Sequence, residues 1–188
     1  MRIGVLDLQG AVREHLWMVA ELGAEGVPVK YVRDLEGLDG LILPGGESTT
    51  LGKLMAKHGL DAAIKERAEA GLPVYGTCAG LILLARDIPG SEQPRLGLMD
   101  ITVKRNAYGR QVDSFETDLD IPALGETPFR AAFIRAPYIE AVGPGVEVLA
   151  EHGGKIVAAR QGRYLVSAFH PELTGDPRLH AYFLEMCR

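Results

Sequence analysis

Cysteine, tryptophan and asparagine are scarce in this chain of 188 residues: Cys78 and Cys187 are the only cysteines, Trp17 the only tryptophan and Asn106 the only asparagine. Two cysteines so far apart have neither the spacing of a zinc site nor the density of a disulfide scaffold. No run of lysine and arginine occurs, and the net charge is −5. The chain therefore carries no electrostatic signature for nucleic acid or anionic lipid. No apolar stretch approaches the roughly 18 residues that a membrane helix needs. The N-terminal run Ile3 to Leu6 is too short for a secretory signal, so a cytoplasmic location is expected. Few asparagines, with arginine exceeding lysine, is a composition met in thermophilic proteins. What is present is apolar material: 47% of residues are hydrophobic and 24% charged, which suits one globular domain over residues 1–188.

The first half alternates strand-like and helix-like segments. Arg2 to Leu8 reads as a strand, and Val12 to Leu22 as a helix with Val12, Leu16, Val19 and Ala20 near one face. Val27 to Val32 and Leu38 to Leu43 read as strands, the latter stopped by Pro44-Gly45-Gly46. Ser48 to Lys57 and Leu60 to Ala70 read as helices, and Pro73 to Tyr75 as the next strand. Repeated βα units imply an α/β fold, a mostly parallel central sheet flanked by helices. The second half reads as an antiparallel extension. Its short strands are Leu98 to Lys104, Phe115 to Leu119, Phe129 to Arg135, Val146 to Glu151, Lys155 to Arg160 and Arg163 to Phe169. Gly153-Gly154 marks a hairpin turn, and Asp176 to Met186 a closing helix with Asp176-Pro177 at its start.

Gly76-Thr77-Cys78-Ala79-Gly80 is the most informative stretch. It sets a reactive side chain among small residues between two apolar runs, the strand–turn–helix layout of a nucleophile elbow with cysteine in place of serine. A helix N-terminus favours the thiolate form of a cysteine placed there. Open α/β sheets bind ligands beyond the carboxyl ends of their strands. Three segments fall at such ends: Pro44-Gly45-Gly46-Glu47-Ser48-Thr49-Thr50, the Cys78 elbow, and His170-Pro171-Glu172. Together they supply acyl transfer. Cys78 attacks a carbonyl, His170 moves the proton, and Glu172, two residues on, orients the imidazole. The N–H groups of Gly46 and Ala79 are candidate oxyanion donors. Glu47-Ser48 after the glycine pair excludes a phosphate-binding P-loop. His15, His58, His152 and His180 are expected to face solvent, and Cys187 to be a packing residue or an exposed thiol.

These residues resemble the Cys–His–Glu site of class I glutamine amidotransferases. Six blocks narrow the resemblance to the glutaminase subunits of pyridoxal 5′-phosphate synthase, the SNO family: residues 8–15 (LQGAVREH), 43–50 (LPGGESTT), 76–81 (GTCAGL), 105–111 (RNAYGRQ), 133–137 (FIRAP) and 170–174 (HPELT). They run through essentially the whole chain. The resemblance implies a single glutamine amidotransferase-like domain. It implies hydrolysis of L-glutamine to L-glutamate and ammonia through a thioester on Cys78, with Gly46, Glu47, Ser48, Arg105, Ile134 and Arg135 as glutamine-contacting positions. Arg105 or Arg135 can pair with the substrate α-carboxylate, and the Glu47 carboxylate with its α-ammonium. Covalent chemistry of this kind calls for neither metal nor cofactor.

The resemblance also implies a partner. Ammonia released into water is protonated and ceases to be a nucleophile, so it must pass directly to a consumer. In this family that consumer is a (β/α)₈-barrel synthase subunit forming a dodecameric core, which builds the vitamin B6 cofactor from a pentose phosphate, a triose phosphate and the ammonia. The segment Gln9 to His15 is expected to form part of the docking surface, with Gln9 helping to order the oxyanion hole. Three other readings compete. A glutaminase of histidine or purine synthesis shares the triad but not the blocks at 8–15 and 105–111. A cysteine hydrolase of the intracellular-protease type shares the elbow but not His170-Pro171-Glu172. A non-catalytic binding protein on the same fold has no need of the triad.

Overall fold

A computed structural model describes residues 1–105 and 114–188. The parallel half follows the expected alternation: β1 (Arg2–Leu6), α1 (Val12–Glu21), β2 (Glu25–Val29), β3 (Gly40–Leu43), α2 (Ser48–Lys57), α3 (Leu60–Glu69), β4 (Val74–Thr77) and α4 (Ala79–Leu84). The second half comprises β5 (Ala85–Asp87), β6 (Met99–Lys104), β7 (Ser114–Leu119), β8 (Phe129–Ile134), β9 (Tyr138–Val142), β10 (Glu147–His152), β11 (Lys155–Gln161), β12 (Tyr164–Ser167) and the closing helix α5 (Arg178–Met186). The main sheet runs β2-β1-β3-β4-β12-β11-β9-β6-β5, with β10 beside β11, while β7 and β8 form a separate antiparallel pair. β2, β1, β3, β4 and β12 are mutually parallel, and pairing turns antiparallel at β11. Among the described residues no helix is long and apolar enough to cross a membrane.

Both faces of the central strands are covered, so β3 and β4 are buried at every position. That is why they read as continuous apolar runs rather than alternating ones. The chain leaves β1 for β2 on one side and enters β3 on the other. This reversal opens a crevice beyond their carboxyl ends. The two loops that flank it touch: the Ala11 N–H donates to the Gly45 carbonyl at 3.1 Å.

The structure differs from the sequence reading in a few elements. β2 begins two residues earlier than expected and ends at Val29. Pro28 is tolerated in it because β2 is an edge strand. Val32, expected to end that strand, instead opens a 3-10 turn over Val32–Leu35, where Asp34 accepts the backbone N–H groups of Lys30 and Tyr31, both at 2.9 Å. The inward positions of α1 are Val12, His15, Met18 and Val19, and Ala20 faces out. Gly153 and Gly154 both have positive φ, 58° and 75°, and turn β10 into β11 as a hairpin of the kind glycine pairs favour.

The turn after β4 depends on close backbone packing. A Cβ on Gly80 would fall within contact distance of the Leu43 carbonyl oxygen, at the end of the neighbouring strand. The Gly80→Ala variant is expected to lose on the order of 3 kcal/mol of stability by overpacking. Gly59, at φ 68° with open space around its missing Cβ, should lose only about 1 kcal/mol on mutation to alanine, from left-handed strain. Equal losses in urea unfolding would contradict this account of the turn.

Candidate active site

Four adjacent parallel strands deliver the site. Beyond β1 lies Gln9, beyond β3 the segment Gly45-Gly46-Glu47, beyond β4 Cys78, and beyond β12 His170. The register pairs Leu43 with Gly76 and Thr77 with Ser167, which brings these strand ends level. Cys78 sits at φ 50°, ψ −101°, a conformation that non-glycine residues seldom adopt and that a nucleophile elbow requires. Its N–H donates to the Ser167 carbonyl at 2.8 Å and its carbonyl accepts from Ile82 at 3.3 Å, so the turn is tied to β12 on one side and to α4 on the other.

His170 Nδ1 is 2.7 Å from Glu172 Oε1, and the ring shares the cleft wall with Cys78. Burial of the ring opposes its protonation. The neighbouring Cys78 and Glu172 outweigh that and raise its pKa to about 10. The imidazole is therefore disposed to hold a proton beside the thiol. The Cε1 edge of the ring packs on Gly45, where a Cβ would collide with it. The His170 N–H donates to the Ala132 carbonyl at 2.8 Å, anchoring the residue to the small sheet. Glu172 lies behind the ring, in a 3-10 turn over Pro171–Leu173, with a fully buried side chain.

A cleft of about 470 Å³ opens in front of Cys78. It is lined by Gln9, Gly46, Glu47, Ser48, Cys78, Ala79, Ile82, Arg105, Ile134, Arg135 and His170. Every expected site residue except the recessed Glu172 is thus on its wall, and Ile82 is added to them. The Glu47 side chain has a use that the sequence reading did not assign. As the N-cap of α2 it accepts from Thr49 N at 3.2 Å, Thr50 N at 2.7 Å and Thr50 Oγ1 at 2.6 Å. The Thr50 hydroxyl above all holds its pKa below the usual glutamate value. Buried Gln93, in an irregular loop without a motif, also went unread. It donates to Ser48 Oγ at 3.1 Å and accepts from Arg105 Nη1 at 2.6 Å. Arg105 Nη2 lies 3.7 Å from Glu47 Oε1. Glu47, Ser48, Gln93 and Arg105 therefore form one polar bracket along the cleft. Arg135, at φ 45°, follows Ile134, whose carbonyl oxygen is 4.0 Å from Cys78 Sγ. Gln9 Oε1 accepts the Glu47 N–H at 2.9 Å and packs on Gly46.

Two expectations about histidine are corrected. His15 and His180 are fully buried instead of solvent-facing. His15 Nδ1 is 2.8 Å from His180 Nε2, and His15 lies on the inward face of α1. Helical periodicity alone counts histidine as polar and so turns this face outward. His152 is partly buried against the stacked rings of Phe115 and Phe133, while His58 is exposed as expected. Cys187 is a packing residue: its Sγ donates to the Phe183 carbonyl at 3.2 Å, and burial pushes the thiol up to about 12. Asn106 to Gln111, part of the sequence block at 105–111, lie outside the described residues.

The fold is that of a glutamine amidotransferase-like domain. The chain belongs to the SNO glutamine amidotransferase family, whose sequence profile matches residues 5–188. A protein of Pelotomaculum thermopropionicum named pyridoxal 5′-phosphate synthase subunit PdxT is 64% identical, covering 100% of this chain and 95% of its own. The protein of the same name from Moorella thermoacetica is 62% identical over 99% of both chains. A crystal structure described as a glutamine amidotransferase superposes with a TM-score of 0.94 at 53% identity, over 98% of each chain. A putative GMP synthase subunit from Thermoplasma acidophilum shares the fold at a TM-score of 0.69 and 17% identity, over 100% of this chain and 94% of its own.

The site's histidines give stability a definite pH dependence. His170 is raised from 6.5 to about 10, so the folded chain binds the extra proton between those values. That contribution is complete below pH 6.5 and lost as pH rises through about 10. His180 is lowered by burial from 6.5 to about 4, so the unfolded chain binds the extra proton there and stability falls as pH drops from 6.5 towards 4. Tm measured against pH is expected to decline on both sides. Glu172→Gln should flatten the alkaline limb and His180→Phe the acid limb, and limbs unchanged in these variants would refute the assignment.

Proposed function

We infer that this chain hydrolyses L-glutamine to L-glutamate and ammonia and supplies the ammonia for pyridoxal 5′-phosphate synthesis. Family membership and the full-length relatives named as subunits of that synthase support this reading. So does the convergence of a thiol, an imidazole and a carboxylate beside a cleft sized for one amino acid. The whole chain, 1–188, acts as one glutaminase domain, and a cytoplasmic setting keeps its thiol reduced.

In the proposed reaction the Cys78 thiolate attacks the carboxamide carbon of glutamine. The N–H groups of Gly46 and Ala79 receive the developing oxyanion, a contribution of roughly 3–4 kcal/mol per donor in comparable sites. His170 hands its proton to the departing nitrogen, which leaves as ammonia, and a γ-glutamyl thioester remains. The now neutral His170 takes a proton from water, the resulting hydroxide attacks the thioester, and glutamate leaves as the sulfur departs. Glu172 holds the imidazole and balances its charge. Ser48, Ile134 and Arg135 define the amino-acid end of the cleft. Arg105 is braced by Gln93 and Glu47. The Glu47 carboxylate is engaged as a helix cap.

The partner we propose is the barrel-fold synthase subunit in a dodecameric core. Gln9 is the residue through which docking would reach the oxyanion loop, because its side chain already grips the Glu47 N–H. The competing intracellular-protease and binding-protein readings predict no glutamine turnover. Ammonia release from glutamine, assayed with and without the cognate synthase subunit, should be stimulated by it and abolished by Cys78→Ala. Gly45→Ala, which displaces the His170 ring, should lower kcat by about a hundredfold or more. Turnover that persists in Cys78→Ala would eliminate the triad, and turnover indifferent to the synthase would eliminate the pathway.

A further inference from the structure

The buried pair His15 and His180 lies against the far side of Glu172. Glu172 Oε1 takes the His170 bond, while Oε2 makes no hydrogen bond among the described residues. Its neighbour is His15 Nε2, 3.6 Å away, with both side chains wholly buried. The same Nε2 is 3.3 Å from Thr77 Oγ1, the residue before the nucleophile. On its other edge, His15 Nδ1 meets His180 Nε2 at 2.8 Å. The remaining atom of the chain, His180 Nδ1, is buried without a partner among the described residues.

Two tautomer arrangements satisfy the 2.8 Å contact, and electrostatics separates them. If His15 donated from Nδ1, its Nε2 lone pair would face the lone pairs of a carboxylate, and His180 would carry a buried N–H with nothing to accept it. Both are unfavourable between fully buried groups, and an orphaned N–H is the costlier kind of unmet group. If instead His180 donates from Nε2 to His15 Nδ1, His15 carries its proton on Nε2, aimed between Thr77 Oγ1 and Glu172 Oε2. The orphan is then only an acceptor lone pair. At 3.6 Å the approach to Oε2 is a dipole–charge contact, longer than a hydrogen bond, but in a buried site its sign matters.

We propose that His15 is a positioning residue for the amidotransferase triad: held in one tautomer by His180, it presents a neutral N–H to the second oxygen of Glu172 and fixes the carboxylate so that the first oxygen faces His170. A neutral donor suits this place. A cation there would neutralise Glu172 and remove the support it gives to a protonated His170. Burial, with the nearby His180 and His170, keeps His15 uncharged. Thr77 extends the same contact to the elbow, so α1, α5 and the nucleophile turn share one internal polar chain.

This inference rests on the glutaminase reading, but its first test does not. In the chain labelled with ¹⁵N-histidine, long-range ¹H–¹⁵N correlation reports each ring's tautomer, with His15 and His180 assigned by their loss in His15→Gln and His180→Phe. Protons on Nε2 of both rings are expected. A proton on Nδ1 of His15, or a charged ring at neutral pH, overturns the proposal. The second test is ammonia release with the synthase subunit present. His15→Leu is expected to lower kcat about tenfold or more at unchanged KM for glutamine, and His15→Gln, which keeps an N–H within reach, to restore most of it. Equal losses in the two variants, or a change in KM alone, would reduce His15 to a packing residue. If Cys78→Ala stayed active while the tautomers were as expected, the triad reading would fail and the histidine arrangement would stand.

Discussion

Close approach of backbone to backbone is the constraint on which the site depends. The strand ends beyond β1, β3, β4 and β12 can meet only if the loops leaving them carry no side chain at the crossing points. Gly80 sits under the Leu43 carbonyl, Gly45 under the His170 ring, and Gly10 against the Gly45 carbonyl. Each contact converts a gap of a few ångströms between strands into a shared wall. Cys78, with its strained backbone, is held at the centre by hydrogen bonds to β12 and α4. The strain is tolerable because the surrounding sheet is packed on both faces and has nowhere to relax.

Electrostatics then sorts three histidines and two carboxylates by environment. His170, between Cys78 and Glu172, is driven towards its charged form. His15 and His180, more deeply buried and without a hydrogen-bonded acid of their own, are driven towards the neutral form. Glu47, exposed at a helix start, is committed to Thr49 and Thr50. Residues of the same type thus hold different charge states within one small region, and these differences are what acid–base chemistry at neutral pH requires.

The parallel half was legible because its strands are buried on both faces and its turns are punctuated by glycine and proline. Ser48–Lys57 emerges with the bounds its sequence implies, set by Pro44-Gly45-Gly46 before it. Strand β9 went unread: Tyr138–Val142 is five residues pinned between Pro137 and Gly143-Pro144, and its pairing with β6 and β11 is long-range. Strand β5 was hidden because its first residue, Ala85, continues the apolar run of α4. At the site, motif residues were legible because their chemistry is local to a short pattern. Gln93 and the His15–His180 pair were not, because a polar side chain reveals a buried role only through partners distant in sequence: Arg105 and Ser48 for the first, Glu172 for the second.

The central claim is that Cys78 forms a covalent γ-glutamyl intermediate with help from His170. The most direct measurement is the intact mass and peptide map of the chain after exposure, in the synthase complex, to a glutamine analogue bearing an electrophilic ketone in place of the carboxamide. The account predicts one adduct per chain, on Cys78 and not on Cys187, formed much more slowly in His170→Ala and suppressed by excess glutamine. Labelling of Cys187, or labelling of Cys78 that neither glutamine nor the loss of His170 affects, would contradict it.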